Sequence, residues 1–229
     1  MKRLLIAVSS ATLLASPLFA GAQAKNFEGF SAQIGAGFAQ VTPTSSGGTI
    51  TPYPATSYTT SADNLNTPLL FLGLAYDYAL NDKWLLGVGA SYAPTNSYTA
   101  NQSVTISSAI PQLNATKTGR YWFNNAYSVY VKPSYVLDEQ SNVYGKLGYT
   151  GLTSNGDSAS IKLTGWMAAA GYTRNIDKNL YGFAEVAYAK YGDAALPTDY
   201  FAASIPNAVN NGTIAASAIE IKFGIGYKF

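Results

Sequence analysis

Five ionisable side chains, Lys132, Lys146, Glu185, Glu220 and Lys222, fall where extended strands would turn them all to one side, with Asp77 as a further candidate partner. Lysines among carboxylates can do two kinds of chemistry. A lysine beside a hydroxyl can serve as the base of a serine nucleophile, whereas lysines held against carboxylates in a confined space neutralise one another and occupy it. No strained serine motif accompanies these lysines, so the residues support an ion-paired network and no catalytic residue is assigned. The chain has no histidine, the usual proton relay near neutral pH. It has no cysteine either, hence no disulfide framework and no thiolate-ligated metal site. No metal and no cofactor are expected. The Gly-x-Gly pairs at Gly35, Gly87 and Gly224 lie within strand-like runs with no helix after them, so they are not dinucleotide fingerprints.

The elements that must position these side chains are strands. Phe30, Ala32, Ile34, Ala36 and Phe38 alternate with Ser31, Gln33, Gly35 and Gly37, a two-residue period. The pattern returns with Leu70, Leu72, Leu74, Tyr76 and Tyr78, then with Trp84, Leu86, Val88, Ala90 and Tyr92. Tyr127, Val129, Val131, Pro133 and Tyr135 continue it, and Pro133 predicts a local irregularity. Val143, Gly145, Leu147 and Tyr149 form the fifth run. Residues 161–173 form the sixth, with Trp166, Ala168, Ala170 and Tyr172 on one face and the apolar Leu163 and Met167 on the other. Ala184, Val186 and Tyr188 mark the seventh. Residues 213–229 end the series, where Ile219, Ile221, Phe223, Ile225, Tyr227 and Phe229 alternate with Glu220, Lys222, Gly224, Gly226 and Lys228. Short turns at 81–83, 138–142 and 175–179 alternate with long polar stretches at 42–67, 94–119 and 192–212 and one centred on 154–157, all read as loops. The fold class is all-β, an eight-stranded antiparallel up-and-down transmembrane β-barrel.

Energetics decide which face meets lipid. Lys132, Lys146, Glu185, Glu220 and Lys222 share the small-residue side. Turned outward, each lysine would cost roughly 2 to 4 kcal/mol near the bilayer midplane. That side must therefore face the lumen, where an eight-stranded barrel has just enough room for side chains. Outward aromatics near strand ends, Tyr76, Tyr78, Trp84, Tyr135 and Tyr149, suit the interfacial belts of a membrane, although β-propensity alone also favours aromatics in strands.

Composition agrees. Charged residues make up 11% of the 229, less than half the usual share of a soluble domain, while Gly (21), Tyr (18) and Phe (10) are abundant. The chain opens Met1-Lys2-Arg3, runs apolar from Leu4 to Ala15 and reaches Ala22-Gln23-Ala24, the layout of a secretory signal peptide cleaved after Ala24. The expected organisation is a leader over residues 1–24 and one barrel domain over 25–229. Removing Lys2 and Arg3 leaves twelve basic against twelve acidic residues, so nucleic acid is not an expected partner.

A leader, eight amphipathic strands, three tight turns and a last strand reading Phe223-x-Ile225-x-Tyr227-x-Phe229 resemble the small outer-membrane barrels of the OmpA/OmpX and opacity-protein type. Tyr130-Val131-Lys132-Pro133-Ser134-Tyr135, Val143-Tyr144-Gly145-Lys146-Leu147-Gly148-Tyr149 and Phe183-Ala184-Glu185-Val186-Ala187-Tyr188 are similar to strand patterns of that group. The resemblance implies a Gram-negative outer membrane, contact with its lipid, and recognition of Phe223, Ile225, Tyr227 and Phe229 by the assembly machinery. It also implies a barrel without the peptidoglycan-binding domain of OmpA-like proteins. Most enzymes among such barrels depend on a histidine, so a non-enzymatic protein is expected.

The long connections, rich in Thr, Ser, Tyr, Asn and Pro, would face the outside and could bind an extracellular ligand or be inert. Two functions stay open: a structural or surface-interaction barrel of adhesin or surface-antigen type, and a small porin or channel for small or apolar solutes. A soluble ligand-binding barrel would require the apolar face to point inward.

Overall fold

The computed structural model describes residues 23–229 apart from 54, 95, 158, 198, 199, 202–204 and 206. The leader expected over 1–24 lies outside the described residues except for Gln23 and Ala24. After a 3-10 turn, Ala24–Phe27, come strands β1 (Gly29–Ser46), β2 (Gly48–Thr51), β3 (Ser57–Ala62), β4 (Leu65–Ala79), β5 (Trp84–Ala93) and β6 (Ala100–Ser107). A second 3-10 turn, Pro111–Leu113, precedes β7 (Ala115–Asp138), β8 (Ser141–Gly156), β9 (Ser160–Asn175), β10 (Leu180–Ala195), β11 (Val209–Asn210) and β12 (Thr213–Lys228).

Eight of these strands form the barrel wall. β1, β4, β5, β7, β8, β9, β10 and β12 each pair antiparallel with the next, and β12 returns to β1, from Ser31 opposite Lys228 to Ser46 opposite Thr213. Closure leaves no open sheet edge at membrane depth, where an unpaired amide has no water to bond. The alternation sorts residues as lipid requires. Ile34, Leu72, Val88, Val131, Leu147, Val186 and Ile221 are exposed on the outer wall, while Ser31, Gln33, Asp77, Lys132, Lys146, Glu185 and Lys222 are buried inside. In β9, Trp166 points outward while Leu163 and Met167 are buried in the lumen.

Side chains fix the short turns. Asn81 Oδ1 accepts the amides of Lys83 (2.9 Å) and Trp84 (3.0 Å), and Asp138 Oδ1 accepts that of Gln140 (2.8 Å), both Asx-type closures. Beside the first turn, Trp84 packs edge-on against Tyr135 at 5.0 Å.

Two expectations need correction. Pro133 disturbs nothing in the register: Val131 faces Leu147 and Ser134 faces Tyr144, as an unbroken ladder requires. Pro133 is exposed on the lipid face. The shifts in β7 fall instead between Asn124 and Tyr127 and between Val136 and Asp138. Asn125 adopts φ 53° at the first, a left-handed conformation asparagine tolerates well. The long connections are also not plain loops. β11, β2, β3, β6 and the outer part of β7 pair in that order into a sheet beyond the barrel rim. It has its own core of Ile50, Tyr58, Ile106, Phe201, Ile205 and Ala208.

Candidate functional site: the occupied lumen

The charged residues inside the barrel meet in two groups. Lys132 Nζ lies 2.7 Å from Asp77 Oδ2. Glu185 sits between two lysines, with Lys146 at 2.6 Å and Lys222 at 2.9 Å, and Lys222 also contacts Glu220 at 2.9 Å. Tyr144 donates its hydroxyl to Glu185 Oε2 at 3.0 Å. Buried charges persist only when paired in this way, because each would otherwise lose its hydration uncompensated.

Register explains how these partners reach one another. Asp77 on β4 faces Gly87 on β5, which faces Lys132 on β7, so the ion pair spans the one strand that offers no side chain. A Cβ on Gly87 would come within 2.1 Å of Asp77 Oδ1. The second group repeats the device. Tyr144 on β8 faces Gly171 on β9, which faces Glu185 on β10, and a Cβ on Gly171 would meet the Tyr144 ring at 2.3 Å. Lys222 needs no such passage, because β12 lies beside β10 and places it directly opposite Glu185.

Aromatic rings fill the remaining cross-section. Lys146 lies 4.3 Å from the centre of the Tyr130 ring, Lys132 5.5 Å from that of Tyr144 and Lys222 5.6 Å from that of Phe71. Phe71 also meets Phe183 edge-on at 6.0 Å. The small-residue side is thus not small throughout: Phe71, Tyr130, Tyr144, Tyr181 and Phe183 are buried in the lumen. Their sequence signal is parity, since each sits on the same side of its strand as the charges.

This layer divides the lumen. On the side of the long connections lies an apolar chamber of about 90 Å³ among Val41, Phe71, Leu152, Met167, Ala189 and Tyr191, with Glu220 and Lys222 also in its lining. On the side of the short turns, a polar chamber of about 30 Å³ is bounded by Asp77, Lys132, Asn142 and Lys146 together with Phe27. Among the described residues, no group of His, Cys, Asp and Glu could hold a metal ion.

The outer sheet is the other candidate site. Tyr58 packs edge-on against Phe201 at 4.7 Å and donates to Asn210 Oδ1 at 3.2 Å. Tyr121 donates to the Asp63 carbonyl, and burial, with Asp63 nearby, pushes its phenol up to about 12. Of the residues in the last strand, Phe223, Ile225, Tyr227 and Phe229 are all exposed on the outer wall.

A profile of the outer membrane protein beta-barrel domain matches residues 10–229. Among solved structures, OprG of Pseudomonas aeruginosa aligns at 19% identity and a TM-score of 0.50, covering 88% of this chain and 96% of OprG. Ail of Yersinia pestis aligns at 16% and 0.45, covering 88% and 99% of the two chains. The protease OmpT of Escherichia coli aligns at 9% and 0.47, covering 88% and 97%. At these identities the likeness concerns the fold. No curated protein matches the chain significantly.

Proposed function

This chain belongs to the outer membrane protein beta-barrel domain family, and we propose that within it the protein is a closed, non-enzymatic barrel acting at the cell surface through its outer sheet. The carrying observation is the layer of Lys132, Asp77, Lys146, Glu185, Lys222 and lumenal aromatics that separates the two chambers. With the lumen occupied, the part of the molecule free to meet other molecules is the sheet beyond the rim. Its strands β3 and β6 expose Ser57, Thr59, Ser61 and Asn101, side chains that bind by hydrogen bonds. No histidine is available as a general base, and the lumenal Lys132, Lys146 and Lys222 are held by carboxylates. The membrane-side partners are outer-membrane lipid on the barrel wall and the assembly machinery, with Phe223, Ile225, Tyr227 and Phe229 as the segment it reads.

Purified protein in planar bilayers should be electrically silent, and cells carrying it should bind components of glycan or host-protein arrays. Excising the β2–β3 hairpin should abolish that binding while leaving the barrel inserted. Stable single channels, or binding unchanged by the excision, would overturn the reading.

The second reading, a channel for small or apolar solutes, is favoured by the apolar chamber. Its roughly 90 Å³ is smaller than the engineered cavity of about 150 Å³ known to take up benzene. It could hold a small apolar molecule but passes nothing onward unless the charged layer opens.

A further inference from the structure

The first described residues are built into the barrel. Ala24 is 0% exposed and packs with Phe27, Leu85 and Val136 against Ala79, at the end of the barrel that carries the short turns. Its amide donates to the Asp82 carbonyl in the β4–β5 turn at 3.0 Å. The Gln23 carbonyl accepts the Asn26 amide at 3.0 Å, which winds the 3-10 turn. Asn26 carries the attachment further: its side-chain amide donates to the Glu139 carbonyl at 3.4 Å, and its own carbonyl accepts from Lys228 Nζ. One short segment thus ties together two turns and the end of β12, and its Phe27 helps to bound the polar chamber.

A cut after Ala24 would dismantle this attachment. It would remove the buried methyl, the amide that bonds Asp82 and the carbonyl that winds the turn, and it would leave a charged α-amine on Lys25 beside the emptied site. A leader peptidase needs small residues one and three positions before the cut. The sequence offers a second such triplet two residues earlier, Ala20-Gly21-Ala22. We propose that the leader is removed between Ala22 and Gln23, so that the mature chain keeps Gln23 and Ala24 as the foot of the barrel.

Intact-mass measurement of protein extracted from the outer membrane tests this directly. The expected chain runs from Gln23 to Phe229, with or without loss of one ammonia as the new α-amine closes on the Gln23 side-chain amide carbon. A chain that starts at Lys25, or one that keeps the leader, overturns the proposal. Two substitutions, read in whole-cell extracts so that barrel folding does not matter, separate the sites. Ala20→Tyr should abolish the Gln23 start, whereas Ala24→Tyr should leave it intact. An Ala20→Tyr chain processed like the wild type, or an Ala24→Tyr precursor that accumulates uncut, would count decisively against it.

Discussion

Asp77 and Glu185 each accept from a donor across an intervening strand at a point where that strand carries glycine. Gly87 and Gly171 are thus as much a part of the charge network as Asp77 and Glu185. Gly87→Ala should force Asp77 off Lys132 and lower the temperature at which the folded band converts to the unfolded band in gels. Alanine is already accommodated elsewhere on the lumenal side, at Ala75 and Ala187, so the effect belongs to the crossing at Gly87. Glu185→Ala strands Lys146, whose other close neighbours are the Tyr130 and Tyr144 rings, and should destabilise the barrel by about 3 to 5 kcal/mol. Adding Lys146→Met should recover a large part of that loss, because the unpaired charge is then gone; no recovery in urea unfolding would show that the pair is not the source. The charges were legible in sequence because lipid forbids them on the other face. The filling rings were not, since an aromatic is at home on either wall and only its parity betrays it.

Strands in the membrane and strands beyond it obey different solvents. In the wall, lipid outside and a packed lumen inside impose strict alternation, so all eight barrel strands could be read from period 2. The outer strands have no such constraint. Ser57–Ala62 and Ala100–Ser107 are short, with Ser and Thr on one face and only Tyr58, Val104 and Ile106 as large apolar residues on the other, too weak an alternation to stand out from the polar stretches around them. Their sheet is held by backbone pairing and by one small core, so Tyr58→Ala should make it protease-sensitive from the outside while the barrel stays resistant. The sheet should also respond to alkali. The Tyr121 phenol titrates near 12 when folded against 10.0 for its ordinary value, so its contribution is complete below about pH 10 and is lost as pH rises towards 12. Proteolysis of the outer sheet should rise over that window, and Tyr121→Phe should remove part of the rise.

At the scale of the molecule, the ring is closed by its two terminal strands. Phe229 donates its amide to the Phe30 carbonyl at 2.9 Å and stacks its ring 5.7 Å from that of Phe30 and 5.2 Å from that of Tyr227. Deleting Phe229 should leave export across the inner membrane intact and reduce the heat-modifiable, inserted fraction; an unchanged fraction would remove this residue from the assembly segment. Closure by β1 and β12 also sets a timetable. Ser31 meets Lys228, its partner near the far end of the chain, so the first edge made is the last to find a mate. The contact has a long sequence separation, and folding that depends on it is slow. Throughout that wait β1 presents a row of unpaired amides able to template another chain. Until then the sheet is unfinished, and its completeness has one structural sign, the pairing of β12 with β1.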